Sequence, residues 1–159
     1  MNTYVPFTEL QPATLIALYG YDYTPIAVKG ENDYYHYFKQ RWEAGEAFIN
    51  IEHDVVPWPG AIEAIEQCER DWCVYNYSLP VHRDQDLENV ETAIPLGLIK
   101  ISSELIAGTK DMWAEPCEWN KLDWRLNQYA RSKGFRAHQH FPSIVNANPV
   151  LLGLVSKGT

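Results

Sequence analysis

A chain of 159 residues, 46% of them hydrophobic, holds enough material for one domain with a sizeable core and too little for two comfortable ones. Its formal charge of -8 excludes an extended nucleic-acid surface, which needs clustered Lys and Arg to neutralise phosphates. Cys68, Cys73 and Cys117 are odd in number and form no C-x-x-C pair, which argues against a disulfide framework or a zinc ribbon and for buried, reduced thiols.

In chain order, strand-like and helix-like segments alternate. Residues 4–7 form a short extended run, and residues 12–18 a helix with Pro12 in its first turn. Residues 25–28 predict a second strand that breaks at Gly30. Asn32 or Asp33 is placed to cap the following helix, which carries Tyr35, Phe38 and Trp42 on one face and stops at Gly45. Ala47, Phe48, Ile49 and Ile51 open an apolar run with β-branched side chains, the pattern of a buried strand, which delivers Glu52, His53 and Asp54 where that strand ends. Pro57 and Pro59 stop the ladder, and the helix that Pro59 opens buries Ile62, Ile65 and Cys68. A fourth strand covers residues 72–77.

Beyond Ser78 the pattern loosens. Residues 81–95 are polar and acidic without a period and predict a long loop, either a lid or a solvated connection. Residues 96–101 resume a strand in which Gly97 permits close approach of a ligand or of another backbone, and Ser102 or Ser103 caps a short helix. Residues 119–133 predict a helix with Trp119, Leu122, Leu126, Tyr129 and Ala130 on one face and Gly134 as its stop. A last strand at residues 135–140 puts His138 and His140 on one side, because side chains two apart point the same way. Strands and helices alternating in this way predict an α/β fold, a mostly parallel sheet covered by helices. The first residues lack a basic region followed by an apolar core, and no apolar run approaches a bilayer span, so a cytoplasmic protein without a membrane span is expected. There is no G-x-G-x-x-G, no Walker-type loop and no G-x-S-x-G elbow.

The strand ending in Glu52-His53-Asp54-Val55, the helix opening at Pro57-Trp58-Pro59-Gly60-Ala61 and the Trp-Cys-x-Tyr strand after it resemble the acidic-motif region of GT-A-type glycosyltransferases related to family 2. Leu96-Gly97-x-x-Lys100-x-Ser102, Trp119-x-x-x-Asp123 and His138-x-His140-x-x-Pro142 follow in the order of that family's acceptor half. The resemblance implies a three-layer α/β/α domain of the Rossmann-like nucleotide-diphospho-sugar transferase fold. Residues 1–80 would then bind the nucleotide-sugar, a UDP-sugar being favoured, and residues 81–159 a hydroxyl-bearing acceptor.

It further implies that Pro6, Phe7, Thr8, Gly30 and Asp33 contact the donor, together with Glu52 and Asp54. Asp54 and His138 or His140 would hold Mn²⁺ or Mg²⁺, which neutralises a departing diphosphate. Asp123 would take the proton of the attacking hydroxyl, with Trp119 and Gly97 at the acceptor. Each residue also has a plainer role: Asp54 as a turn acid, the histidines as strand residues, Asp123 as a solvated helix acid, and Trp119 in the core. Two other functional classes stay open, a metal-dependent hydrolase using Glu52, Asp54 and the histidines, and a catalytically silent nucleotide- or sugar-binding module.

Overall fold

The computed structural model describes residues 1–75, 83–87, 94–142 and 144–146. Nine strands are described: β1 Asn2–Phe7, β2 Thr24–Ala27, β3 Phe48–Ile51, β4 Val55–Val56, β5 Trp72–Tyr75, β6 Gln85–Leu87, β7 Leu98–Ile101, β8 Ala137–Gln139 and β9 Val145–Asn146. The described α-helices are α1 Pro12–Ala17, α2 Glu31–Ala44, α3 Ala61–Gln67, α4 Ser103–Gly108 and α5 Leu122–Ser132, with short 3-10 turns at Lys110–Trp113 and Trp119–Lys121. Seven strands form one sheet in the order β2-β1-β3-β7-β5-β8-β6, and β4 pairs with β9 apart from it.

The fold is mixed α/β, and the sheet is not the mostly parallel one expected. β1 pairs in parallel with β2 and β3, and β5 with β8. β7 runs antiparallel between β3 and β5, and β6 antiparallel along β8. The unexpected β6 comes from the stretch whose polarity predicts a loop. Gln85 and Asp86 are exposed on an edge, and Leu87 alone enters the core, so the segment carries almost no apolar signal. Five strands, β1, β2, β3, β5 and β8, nonetheless run in one direction, so their carboxyl ends lie along one edge of the sheet.

Strand alternation divides the core between the two faces. On β5, Trp72 and Val74 enter one cluster with Phe38 and Trp42 of α2 and Leu122 and Leu126 of α5. Cys73 and Tyr75 enter the other, with Ile62 and Ile65 of α3 and Ile49 and Ile51 of β3. Trp42 and Trp72 are among the largest fully buried side chains. Burying each such aromatic ring is worth about 2–3 kcal/mol, so helices that are short by themselves are held by the sheet.

Several local signals hold as expected. Pro12 opens α1, Gly45 ends α2 in the left-handed region at φ 73°, and Ser102 caps α4 by accepting from the Leu105 N–H at 3.0 Å. Others shift. Gly30 is the N-cap of α2, while Asp33 reaches back to accept from the Lys29 N–H at 2.9 Å. α3 begins at Ala61 behind Gly60, whose φ of 89° makes the turn, and not at Pro59. Of the fourth strand, residues 76 and 77 lie outside the described residues, as do Ser78 and most of the expected long loop.

Candidate functional site

β1, β2 and β3 end along one edge of the sheet, and Pro6, Phe7, Thr8, Gly30, Asp33 and Glu52 lie at or just beyond those ends. Pro6 and Phe7 close β1 beside Ile26 and Ala27. The β1–β3 register stops at Tyr4, so the missing Pro6 N–H interrupts no ladder with β3. Thr8 follows on the surface. Past β2, Lys29, Gly30, Asn32 and Asp33 line an open depression of about 400 Å³.

Glu52 stands one residue beyond β3, its backbone N–H donating to the Gly97 carbonyl at 2.7 Å. The Gly97 carbonyl thus faces the backbone of Glu52. Gly97 is buried there, which argues against its expected place at an acceptor. The Glu52 carboxylate accepts from the phenol of Tyr34 on α2. The ring of Tyr34 meets Trp119 edge-on, with centroids 6.1 Å apart and an interplanar angle of 86°.

Trp119 is 40% exposed and sits on a 3-10 turn ahead of α5, not on the buried helical stripe that its spacing predicts. A residue from the second half of the chain thus joins a strand-end acid from the first half through a tyrosine that sequence reasoning did not single out. Asp123 lies in the first turn of α5, half-buried, with Oδ1 accepting from the Trp124 N–H at 2.7 Å. Burial raises its carboxyl above the ordinary aspartate value, against the lowering by that hydrogen bond.

Asp54 is separated from this group by a turn, closed by the Val55 N–H on the Glu52 carbonyl at 3.0 Å. β3 ends at Ile51, so the period-two rule that would put Glu52 and Asp54 on one side does not reach them.

The two histidines assemble elsewhere. β8 is separated from β3 by β7 and β5, about 14 Å at the spacing of neighbouring strands. His138 and His140 lie on one side, as expected, with ring centroids 5.0 Å apart. The third ligand group closing on them is Cys68, and Asp54 is not in the set. Cys68 Sγ and one nitrogen from each ring all lie within 4.8 Å of one another.

Cys68 caps the carboxyl end of α3 and is half-exposed. Register places Asp86 of β6 opposite His138, and its Oδ1 is 2.7 Å from His138 Nδ1 while Oδ2 pairs with Arg70 at 3.1 Å. Asp84 Oδ2 lies 3.7 Å from His140 Nδ1, and Asp84 Oδ1 accepts from the Phe141 N–H at 2.7 Å. His140 is only 8% exposed and stacks on Tyr75 at 5.1 Å. Its buried Nε2 has no hydrogen-bond partner among the described residues. Burial lowers its pKa, with His138 adding to the effect and Asp84 opposing it, so the neutral ring is favoured.

Sequence spacing finds the His-x-His pair and misses the rest. Cys68 falls at core spacing on α3, and Asp84-x-Asp86 is hidden in a polar run. The available signal was the matching alternation, acids at 84 and 86 against histidines at 138 and 140, which is what hydrogen-bonding partners facing each other across paired strands produce.

No model of a known protein family matches the chain, and no curated protein matches it. Among solved structures, the fold is similar to that of A197 from STIV, with a TM-score of 0.58 at 14% identity over 93% of this chain and 91% of that one. At that identity the likeness is one of fold alone.

Proposed function

We propose that the chain is a GT-A-like glycosyltransferase, a three-layer α/β/α domain that moves a sugar from a nucleotide-sugar, a UDP-sugar being favoured, to a hydroxyl acceptor. The observation that carries it is the contact series Glu52–Tyr34–Trp119 at the strand-end edge. It links a carboxylate from the first half, through Tyr34, to an exposed indole from the second, which supports a donor site flanked by an acceptor platform. In α/β sheets, ligands bind outside the carboxyl ends of the strands, where the depression at Gly30 and Asp33 also lies.

In this mechanism the nucleotide lies across the ends of β1 and β2, against Pro6, Phe7, Thr8, Gly30 and Asp33. Asp54, an oxygen donor on the turn after Glu52, fits Mn²⁺ or Mg²⁺ in ligand type. A cation there would neutralise charge on the departing diphosphate. The histidines, closing on a thiol, are not assigned to that cation. Trp119 offers its exposed face to the acceptor sugar, and Asp123, its carboxyl raised by burial, takes the proton of the attacking hydroxyl.

The test is incubation with a panel of nucleotide-sugars and Mn²⁺ or Mg²⁺, following release of free nucleotide. Release that Asp54→Asn and Asp123→Asn each abolish, with the fold retained, supports the assignment. Turnover of phosphoesters or esters, with no release from any nucleotide-sugar, would replace it with the hydrolase.

A further inference from the structure

We infer that Cys68, His138 and His140 form a binding site for a Zn²⁺-class transition metal ion, distinct from the strand-end site. The inference does not rest on the glycosyl-transfer proposal and stands or falls separately from it.

Cys68 comes from the end of α3, and His138 and His140, distant from it in sequence, come from β8 and the residue after it. Around a tetrahedral ion the ligand atoms stand about 3.5 Å apart, from metal–sulfur and metal–nitrogen bonds of roughly 2.3 and 2.0 Å. The present spread, within 4.8 Å, closes to that distance by small rotations, for which Cys68 and His138 have room because neither is fully buried. Thiolate with two imidazoles is a borderline-soft donor set suited to zinc and poorly suited to Mn²⁺ or Mg²⁺.

Two further observations point to a ligand. His140 Nε2 is buried, without a partner among the described residues, on a ring whose other nitrogen faces Asp84. A buried imidazole nitrogen left without a hydrogen bond is costly unless something binds it. His138 has the complementary feature: Asp86 Oδ1 lies 2.7 Å from its Nδ1, and the neutral tautomer that donates there carries its lone pair on Nε2. A carboxylate hydrogen-bonded to one nitrogen of a histidine is the outer shell that orients an imidazole ligand toward a metal; Asp86 stands in that relation to His138, and Asp84 supplies a nearby charge at 3.7 Å from His140 Nδ1. Arg70 holds the second oxygen of Asp86 and fixes that carboxylate in turn.

The nearby Lys100 ammonium is directed to the Cys68 backbone carbonyl, where it anchors the segment carrying the thiol. The buried thiol of Cys73 donates to the Arg70 carbonyl at 3.4 Å and also lies against the Cys68 thiol, while Cys68 is the sulfur that stands within 4.8 Å of a nitrogen of each histidine. Three protein ligands leave a fourth position for water or a substrate oxygen.

The experiment uses the full chain, kept reduced and stripped of metal, titrated with Zn²⁺ against a chromophoric chelator and with Co²⁺ as an optical probe. We expect one Zn²⁺ per chain and a Co²⁺ spectrum with tetrahedral ligand-field bands and a sulfur-to-metal charge-transfer band. Cys68→Ser should remove the charge-transfer band, and His140→Ala should abolish stoichiometric binding. Asp86→Asn should weaken zinc by about 10-fold or more, as for other outer-shell carboxylates. Cys73→Ser should keep the band, and circular dichroism establishes that each variant is folded. Absence of stoichiometric zinc in the reduced wild type would overturn the site, as would a charge-transfer band that survives Cys68→Ser.

Discussion

The phenol of Tyr34 donates to the carboxylate of Glu52, tying the first turn of α2 to the residue just past β3. Eighteen positions apart in sequence, the two groups meet because α2 crosses back over the sheet between β2 and β3. Tyr34→Phe keeps the ring against Phe38 and Trp119 and removes only the hydroxyl. A hydrogen bond to a charged group contributes about 1.5–3 kcal/mol, so urea unfolding should show a loss near the lower end at this partly buried site. Weaker binding of UDP with Mn²⁺ should accompany it; unchanged stability and binding would remove Tyr34 from the site.

Asp123 gives a prediction whose sign depends on pH. Its folded-state pKa is raised, chiefly by burial, so the native fold disfavours the ionised carboxylate. The raised value makes the protonated form the stabilising one: that contribution is fully present below the unfolded aspartate pKa and is lost as pH rises through the folded value. Asp123→Asn should therefore be more stable than wild type at neutral pH, with the difference shrinking on acidification, while transfer activity is lost. Thermal melts from pH 3 to pH 8 measure this, and a constant difference across the range would contradict it.

Behind the strand-end site, Asn50 is fully buried on β3, with Oδ1 accepting from the Tyr37 hydroxyl at 2.8 Å and Nδ2 donating to the Leu96 carbonyl at 2.7 Å. Burial holds the Tyr37 phenol far above its ordinary pKa, so it remains a donor throughout the usual pH range. Tyr37→Phe leaves the amide oxygen of Asn50 unpaired and should cost about 1–3 kcal/mol in denaturant unfolding.

Gly108, the last residue of α4, is set by space. A Cβ there would stand 2.8 Å from the Phe135 ring. Gly108→Ala should destabilise by about 1–3 kcal/mol despite alanine's better helix propensity, and Phe135→Leu should relieve part of that loss in a double-mutant cycle.

The parts of this architecture that rest on local chemistry were legible in the sequence. Pro12, Gly45 and Ser102 act through their own backbone or side chain, and Phe48, Ile49 and Ile51 have no other place to go than a buried strand. Strand direction was not legible. Nothing in Leu98–Ile101 distinguishes a strand inserted antiparallel between β3 and β5 from one that continues a parallel series, because both are buried on two faces. Edge strand β6 was hidden for the opposite reason, having one apolar residue and two exposed ones. Of the candidate residues, Glu52 and Trp119 are joined through Tyr34, whereas the histidines take Cys68 in place of Asp54. Spacing along the chain reports which side chains share a face of one element. It does not report which elements the sheet order makes neighbours.

Calorimetric titration of the 159-residue chain with UDP in the presence of Mn²⁺, repeated on Asp54→Asn, tests the strand-end donor site most directly. Saturable one-to-one binding that requires Mn²⁺ and is lost in the variant is the predicted result. No heat of binding in the folded wild type at millimolar UDP, or equal binding by wild type and Asp54→Asn, would contradict it.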